Sequence, residues 1–336
     1  MTLSRRDVFT RGGALGIGAA AGLPFAAGSL AAPRRQEGNN KVIFVTHDNN
    51  DFFVPVRAGL EQFGELAGWE TQWIGPPKHD EVATLQYQLD AIAAKPAAVG
   101  FTRVNTEQFD DAIRAAQEEG IFVILYNTAS DGYQDLGVAY VGQEFIPAGI
   151  VSGLNAARYA KEITGRDDGI IILGTIVPGH SALDARMEGA RQGIAQYNEE
   201  NGTSYTTEDL TTSTDAAEAF AKLDARWAVG GDDIVGFAHA DFVHWHTATW
   251  MEQAGLQGKF ANGGFDLVPG VLDAIENGLA QWSIAQNPYA QGWVTSALIH
   301  MAVESGYPPF SYDTGAEVVD ASNIGAVVER EAQFEG

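Results

Sequence analysis

Asn50, Phe52 and Phe53 belong to the stretch Thr46-His47-Asp48-Asn49-Asn50-Asp51-Phe52-Phe53, which follows directly on the apolar run Val42-Ile43-Phe44-Val45 and precedes a helical pattern that begins near Val54. The run reads as a first β-strand, and open α/β sheets bind ligands at the carboxyl ends of their strands. An amide both donates to and accepts from hydroxyls, while an aromatic face covers the apolar side of a sugar ring. These residue types at this spacing imply a pocket for a small polyhydroxylated molecule. Each also has an ordinary structural use: Phe52 and Phe53 as a hydrophobic staple, Asn50 as a helix cap. Capping and ligand contact are compatible.

A second chemistry is suggested by His239, Asp241, His244 and His246, because imidazole and carboxylate favour zinc. His244 and His246 stand two apart on a predicted helix, about 200° around its axis, unlike the i, i+4 spacing of helical ligand pairs. No metal and no cofactor are expected. Glycines 12, 13, 16, 18 and 22 do not make a phosphate loop, since no strand precedes them.

The elements that must position these groups follow from apolar periodicity. Buried-strand runs occur at 42–45, 71–74, 98–101, 122–126, 138–141, 170–173, 234–238 and 260–265, with amphipathic helical patterns at 54–67, 82–93, 106–119, 182–197, 216–227 and 269–277. Strands alternating with helices imply right-handed βαβ units and parallel sheets. Eight units could close into a barrel. The near-repeat of the pattern after Val141 argues instead for an α/β fold of two doubly wound parallel-sheet lobes.

Residues 1–31 read as an address rather than as fold. Ser4-Arg5-Arg6-Asp7-Val8-Phe9 opens a run rich in Ala, Gly and Leu that ends at Ser29-Leu30-Ala31, and the pattern resembles a twin-arginine export signal with a small-x-small cleavage site before Ala32. Residues 32–40 read as a flexible leader. The chain has no cysteine, hence no lipidation site in the signal and no disulfide framework. Removing residues 1–31 takes away Arg5, Arg6, Arg11 and Asp7, leaving 17 basic and 43 acidic residues and a formal charge of −26. Nucleic acid is an improbable partner for such a surface. Six lysines against fourteen arginines, with scattered acids, are compatible with a high-salt source or with an ordinary acidic exported protein. A location outside the cytoplasmic membrane is expected, and after the signal no apolar stretch approaches a membrane span.

Several ordered motifs between residues 41 and 330 together resemble the periplasmic sugar-binding proteins of the ribose- and galactose-binding type, the substrate-binding subunits of ABC importers. They are Asn49-Asn50-Asp51-Phe52-Phe53, the strand 122–126 ending in Tyr126-Asn127, Arg186 with Gly189, Phe237-Ala238-His239-Ala240-Asp241, Gly264-Phe265-Asp266 and Ala285-Gln286-Asn287-Pro288. The resemblance implies a type I periplasmic binding protein: two lobes joined by a three-strand hinge, with ligand held in the cleft between them. It divides the chain into an N-terminal lobe of 41–140 plus 287–314 and a C-terminal lobe of 141–286 plus 315–336. Carried over by position, the ligand contacts are Asn50, Phe52, Phe53, Tyr126, Asn127, Arg186, Asp266 and Gln286, with His239 and Asp241 of the turn beside them.

The departures are also informative. Tyr126-Asn127 stands where ribose-type members carry an Asp-Arg pair, Ala240 replaces an asparagine, and a third stacking aromatic aligns near Thr214. His239 or Trp245 is the candidate for that missing ring. The implied function is capture of a monosaccharide, polyol or sugar-like molecule, by a monomer, for delivery to a membrane permease. An exported carbohydrate-active enzyme would need a nucleophile or a matched carboxylate pair, and the chain shows no G-x-S-x-G elbow. A sugar-like signal molecule feeding a sensor is a further alternative. A repressor effector domain of the same fold would require a helix-turn-helix and a basic face.

Overall fold

The first apolar run forms β1 (Lys41–Val45), whose neighbours are β2 (Glu70–Ile74) and β3 (Ala98–Phe101). The computed structural model describes residues 38–334; residues 1–37, which hold the expected signal and most of the expected leader, lie outside the described residues. β4 (Phe122–Tyr126), β5 (Tyr140–Gly142) and the short β11 (Tyr312–Asp313) extend this sheet in the order β11-β5-β4-β3-β1-β2, and every pairing is parallel. A second six-stranded sheet runs β12-β10-β9-β8-β6-β7. It consists of β6 (Asp168–Thr175), β7 (Ser204–Thr211), β8 (Ile234–His239), β9 (Ala261–Phe265), β10 (Trp282–Ala285) and β12 (Glu317–Val319), with only β12 antiparallel. Two open sheets, rather than one closed barrel, account for the eight units. The buried central strands are almost entirely apolar, as strands covered on both faces must be.

Helices α1 (Phe53–Ala67), α2 (Glu81–Ala93) and α3 (Glu107–Glu118) serve the first sheet. The second is covered by α4 (Phe145–Thr164), α5 (Ser181–Asn201), α6 (Ala216–Trp227), α7 (His244–Gln253) and α8 (Pro269–Glu276). α9 (Pro288–Ser305) returns to pack against α1, and α10 (Ile324–Glu331) lies against α8. The chain passes between the sheets three times, after Gly142, after Ala285 and after Asp313.

Two helix pairs depend on glycine for close approach. A Cβ at Gly149 of α4 would collide with the Arg186 carbonyl, and one at Gly189 of α5 with the Ile146 carbonyl. In the other lobe a Cβ at Gly59 would sit 2.5 Å from the Tyr289 carbonyl, and one at Gly292 would strike the Val56 carbonyl. Missing side chains let these backbones touch, which fixes α5, and hence Arg186, against the hinge-proximal end of α4.

Both sheets are doubly wound, so each has a point where strand order reverses: between β1 and β3 in one, between β6 and β8 in the other. Loops leaving the carboxyl ends there diverge and open a crevice. The segments after β1, β6 and β8 supply most of the residues described next.

Candidate functional site

The two crevices face one another across a cleft lined from both lobes, at the switch-point position where open α/β sheets hold small molecules. Its walls include Asn50, Phe52, Phe53 and Asn127 from the first lobe, with Arg186, Asp241, Asp266 and Gln286 from the second lobe and the hinge. His47, Asp48, His79, Thr128, Phe145, His180 and Phe242 complete the polar and aromatic part of the lining. The lips meet: Ser130 Oγ lies 2.8 Å from Ser181 Oγ at the start of α5.

Asn50 shapes its turn by accepting the Phe52 N–H at Oδ1, 3.0 Å away, and Phe52 and Phe53 pack edge to face with centroids 5.0 Å apart. Asn127 and Asp266 each stand just past a strand, β4 and β9, with φ of 62° and 68°. A left-handed turn is tolerated by Asn and Asp better than by other side chains. Here it redirects both polar groups from the sheet faces into the cavity.

From that point a hydrogen-bond chain crosses the hinge. Gln286 Nε2 donates to Asp266 Oδ1 at 2.6 Å, Gln291 Nε2 donates to Gln286 Oε1 at 3.0 Å, and Asn127 Nδ2 donates to Gln291 Oε1 at 3.1 Å. Burial pushes the Asp266 carboxyl above the ordinary carboxylate range, opposed by Arg186 and by the Gln286 bond.

Arg186 is buried on α5 rather than paired with the surface acids Asp184 or Glu188. Nε and Nη2 both donate to Gln143 Oε1, at 3.2 and 2.9 Å, and Nη1 donates to the Ala240 carbonyl at 3.1 Å. Its guanidinium carbon sits 4.2 Å from the Phe265 ring centroid. Burial lowers its pKa, while Asp266 and Asp241 counter that loss. Gln143, at the first crossover, also donates to the Gly315 carbonyl of the third at 3.0 Å and, at 3.4 Å, to the Ala285 carbonyl of the second. One amide thus ties all three hinge segments to the arginine of the cleft.

Asp241 accepts backbone N–H groups from Ile176 at 2.9 Å and Val243 at 3.1 Å, joining the loops after β6 and β8. Burial raises its carboxyl to about 7, with Asp266 adding to the shift and the two N–H donors and Arg186 opposing it.

Tyr126 and His239 do not line the cavity. Tyr126 is the last residue of β4 and points into the core beneath the sheet, its ring 5.0 Å from Phe44 and 6.0 Å from Trp73. His239 shares the Phe237 face of β8, stacks on that ring at 6.2 Å and bonds Thr247 through Nε2 at 2.9 Å. Burial drops its pKa to about 3, so it is a neutral core histidine. Trp245 lies outside the lining too, against Gly270 and His246. The rings that the second lobe brings to the cavity are Phe145 and Phe242.

Sequence reasoning passed over His47 and Asp48, although they lie inside the stretch it began from, and Phe242, which adjoins Asp241. His79, Phe145, His180 and the hinge amides Gln143 and Gln291 carry no local pattern; only the tertiary fold gathers them.

The arrangement offers carboxylates that accept from hydroxyls, a guanidinium that donates, amides that do both, and rings that cover apolar C–H faces. A family model described as the periplasmic binding protein domain matches residues 41–306. The chain belongs to that family. The chain is 23% identical over 301 residues to the xylose/arabinose-binding protein XylF of Sulfolobus acidocaldarius, covering 84% of this chain and 72% of the relative. A solute-binding protein from Agrobacterium vitis bound with α-D-tagatopyranose superposes with a TM-score of 0.75 at 24% identity, covering 86% of this chain and 98% of the other. A carbohydrate transporter protein from Acidothermus cellulolyticus in complex with myo-inositol gives 0.75 at 21%, covering 88% and 99%. At these identities the structural likeness establishes the shared type I periplasmic binding protein fold. Among the described residues no helix is long and apolar enough to cross a membrane.

Proposed function

We propose that this protein is an extracytoplasmic solute-binding protein that captures a monosaccharide or polyol between its lobes and delivers it, unchanged, to the permease of an ABC importer. The observation that carries this reading is the juxtaposition of Asp266, Gln286, Asn127 and Arg186 in one cavity with Phe52, Phe53, Phe145 and Phe242. Charged and amide groups that hydrogen-bond hydroxyls in a dry cleft reject analogues lacking a hydroxyl, since the protein group is then left buried and unpaired. Related proteins of this family are described with pentoses, tagatose and inositol, which share vicinal hydroxyls on an otherwise apolar ring.

The ligand contacts in this reading are Asn50, Phe52, Phe53, Asn127, Arg186, Asp241, Asp266 and Gln286. Residues 1–31 act as a twin-arginine signal, and the protein works as a monomer. The test is a thermal-shift screen of pentoses, hexoses, tetritols, pentitols and inositols, because a ligand bound only by the native state raises the melting temperature. A sugar or polyol that raises it and is recovered unchanged supports the proposal. A screen in which none does so overturns it.

A further inference from the structure

Three histidines gather at the cleft mouth from separate places in the chain: His47 after β1, His79 in the loop between β2 and α2, and His180 capping α5. One ligating nitrogen from each lies within 4.8 Å of the other two, and the ring centroids are 5.5, 5.6 and 5.4 Å apart. We propose that His47, His79 and His180 bind one divalent transition-metal ion of the zinc class, linking the two lobes at the mouth of the cavity.

Three imidazoles fit the ion's preference for nitrogen donors and tetrahedral coordination, leaving a fourth position for water or another small oxygen ligand. Nδ1 of His47 is buried and finds no hydrogen-bond partner among the described residues, so it is not committed elsewhere in the fold. His180 accepts the Ala182 N–H at Nδ1, 3.2 Å away, which leaves Nε2 as its available nitrogen. Ligation through Nε2 moves the ring proton to Nδ1 and gives up that cap. Asp48 lines the same cavity, and Glu81 Oε1 lies 4.0 Å from His79 Nε2, so carboxylates stand close by to offset the added charge.

The three imidazoles line the same cavity as the carboxylate, arginine and amide set but are not among the proposed solute contacts, so titration of the metal in the absence of solute tests them separately from the proposed function. The test is calorimetric titration of zinc(II) alone into the full chain without an affinity tag, followed by cobalt(II) absorption. The expected result is one ion per chain with a tetrahedral cobalt spectrum. His79→Ala, from one lobe, and His180→Ala, from the other, should each weaken zinc binding at least tenfold. His300→Gln, remote from the cluster, should leave it unchanged. Wild-type titration without saturable binding would reduce the cluster to ring packing and overturn the proposal. So would unchanged zinc affinity in either His79→Ala or His180→Ala, the latter by removing the link between lobes.

Discussion

Replacing Asp266 by Asn removes one negative charge from the proposed solute site while disturbing little else. Asn retains the volume, one acceptor oxygen and a tolerance for the left-handed backbone at φ 68°. Alanine would add the steric penalty of that conformation, roughly 1–2 kcal/mol, and so confuse folding with binding. Asp266 is 7% exposed, and its one short side-chain partner, Gln286 Nε2 at 2.6 Å, leaves acceptor capacity turned to the cavity. A hydroxyl donated to that buried carboxylate is a charge-assisted bond worth about 1.5–3 kcal/mol. The variant should therefore weaken solute binding by about ten- to a hundred-fold while unfolding stability changes by no more than ~1 kcal/mol. Titration calorimetry with the strongest hit from the thermal screen reads the first number, and urea unfolding reads the second. A folded variant whose dissociation constant stays within about two-fold of wild type would refute the placement of Asp266 at the solute.

Gln143→Leu should cost about 2–4 kcal/mol of stability, because it strips Arg186 and the Gly315 carbonyl of a buried partner; urea unfolding checks this, and an unchanged midpoint would contradict it. Gly292→Ala places a Cβ against the Val56 carbonyl and should lower stability by about 1–3 kcal/mol, visible as a fall in melting temperature. For Asp241, whose folded pKa of about 7 lies above the ordinary 3.8, the folded state holds a proton that the unfolded chain has released, so this group erodes stability as pH rises from about 4 to 7. Asp241→Asn should flatten the pH dependence of stability in that window by on the order of a few kcal/mol, and a profile parallel to wild type would show that the carboxyl is not held protonated. Tyr126→Phe should leave solute affinity unchanged, since the ring faces Phe44 and Trp73; a large loss in calorimetry would return that residue to the site.

The doubly wound fold was legible because its central strands are apolar runs punctuated by amphipathic helices. What escaped that reading has a physical cause in each case. β7, Ser204–Thr211, is a polar edge strand without an apolar run. α4 and α9 pack through glycines and fill much of their buried face with Gly, Ala, Ser, Thr and Gln, so neither shows a clean apolar stripe. At the site, residues that adjoin strand ends, such as Asn50, Asp241 and Asp266, could be picked out. Tyr126 and His239 misled because each is the last residue of its strand and still obeys the strand's alternation, which turns it into the core. The cavity is reached one or two residues later, at Asn127 and Asp241. Gln143 and Gln291 had no sequence signal, since their value lies in spanning hinge segments distant along the chain.

The most direct test of the central claim is calorimetric titration of the strongest sugar or polyol hit into the purified protein, followed by NMR of the recovered solute. Single-site binding near micromolar affinity, about −8 kcal/mol, with the solute returned chemically unchanged, is the predicted result. Absence of binding across the panel, or recovery of a converted product, would contradict it.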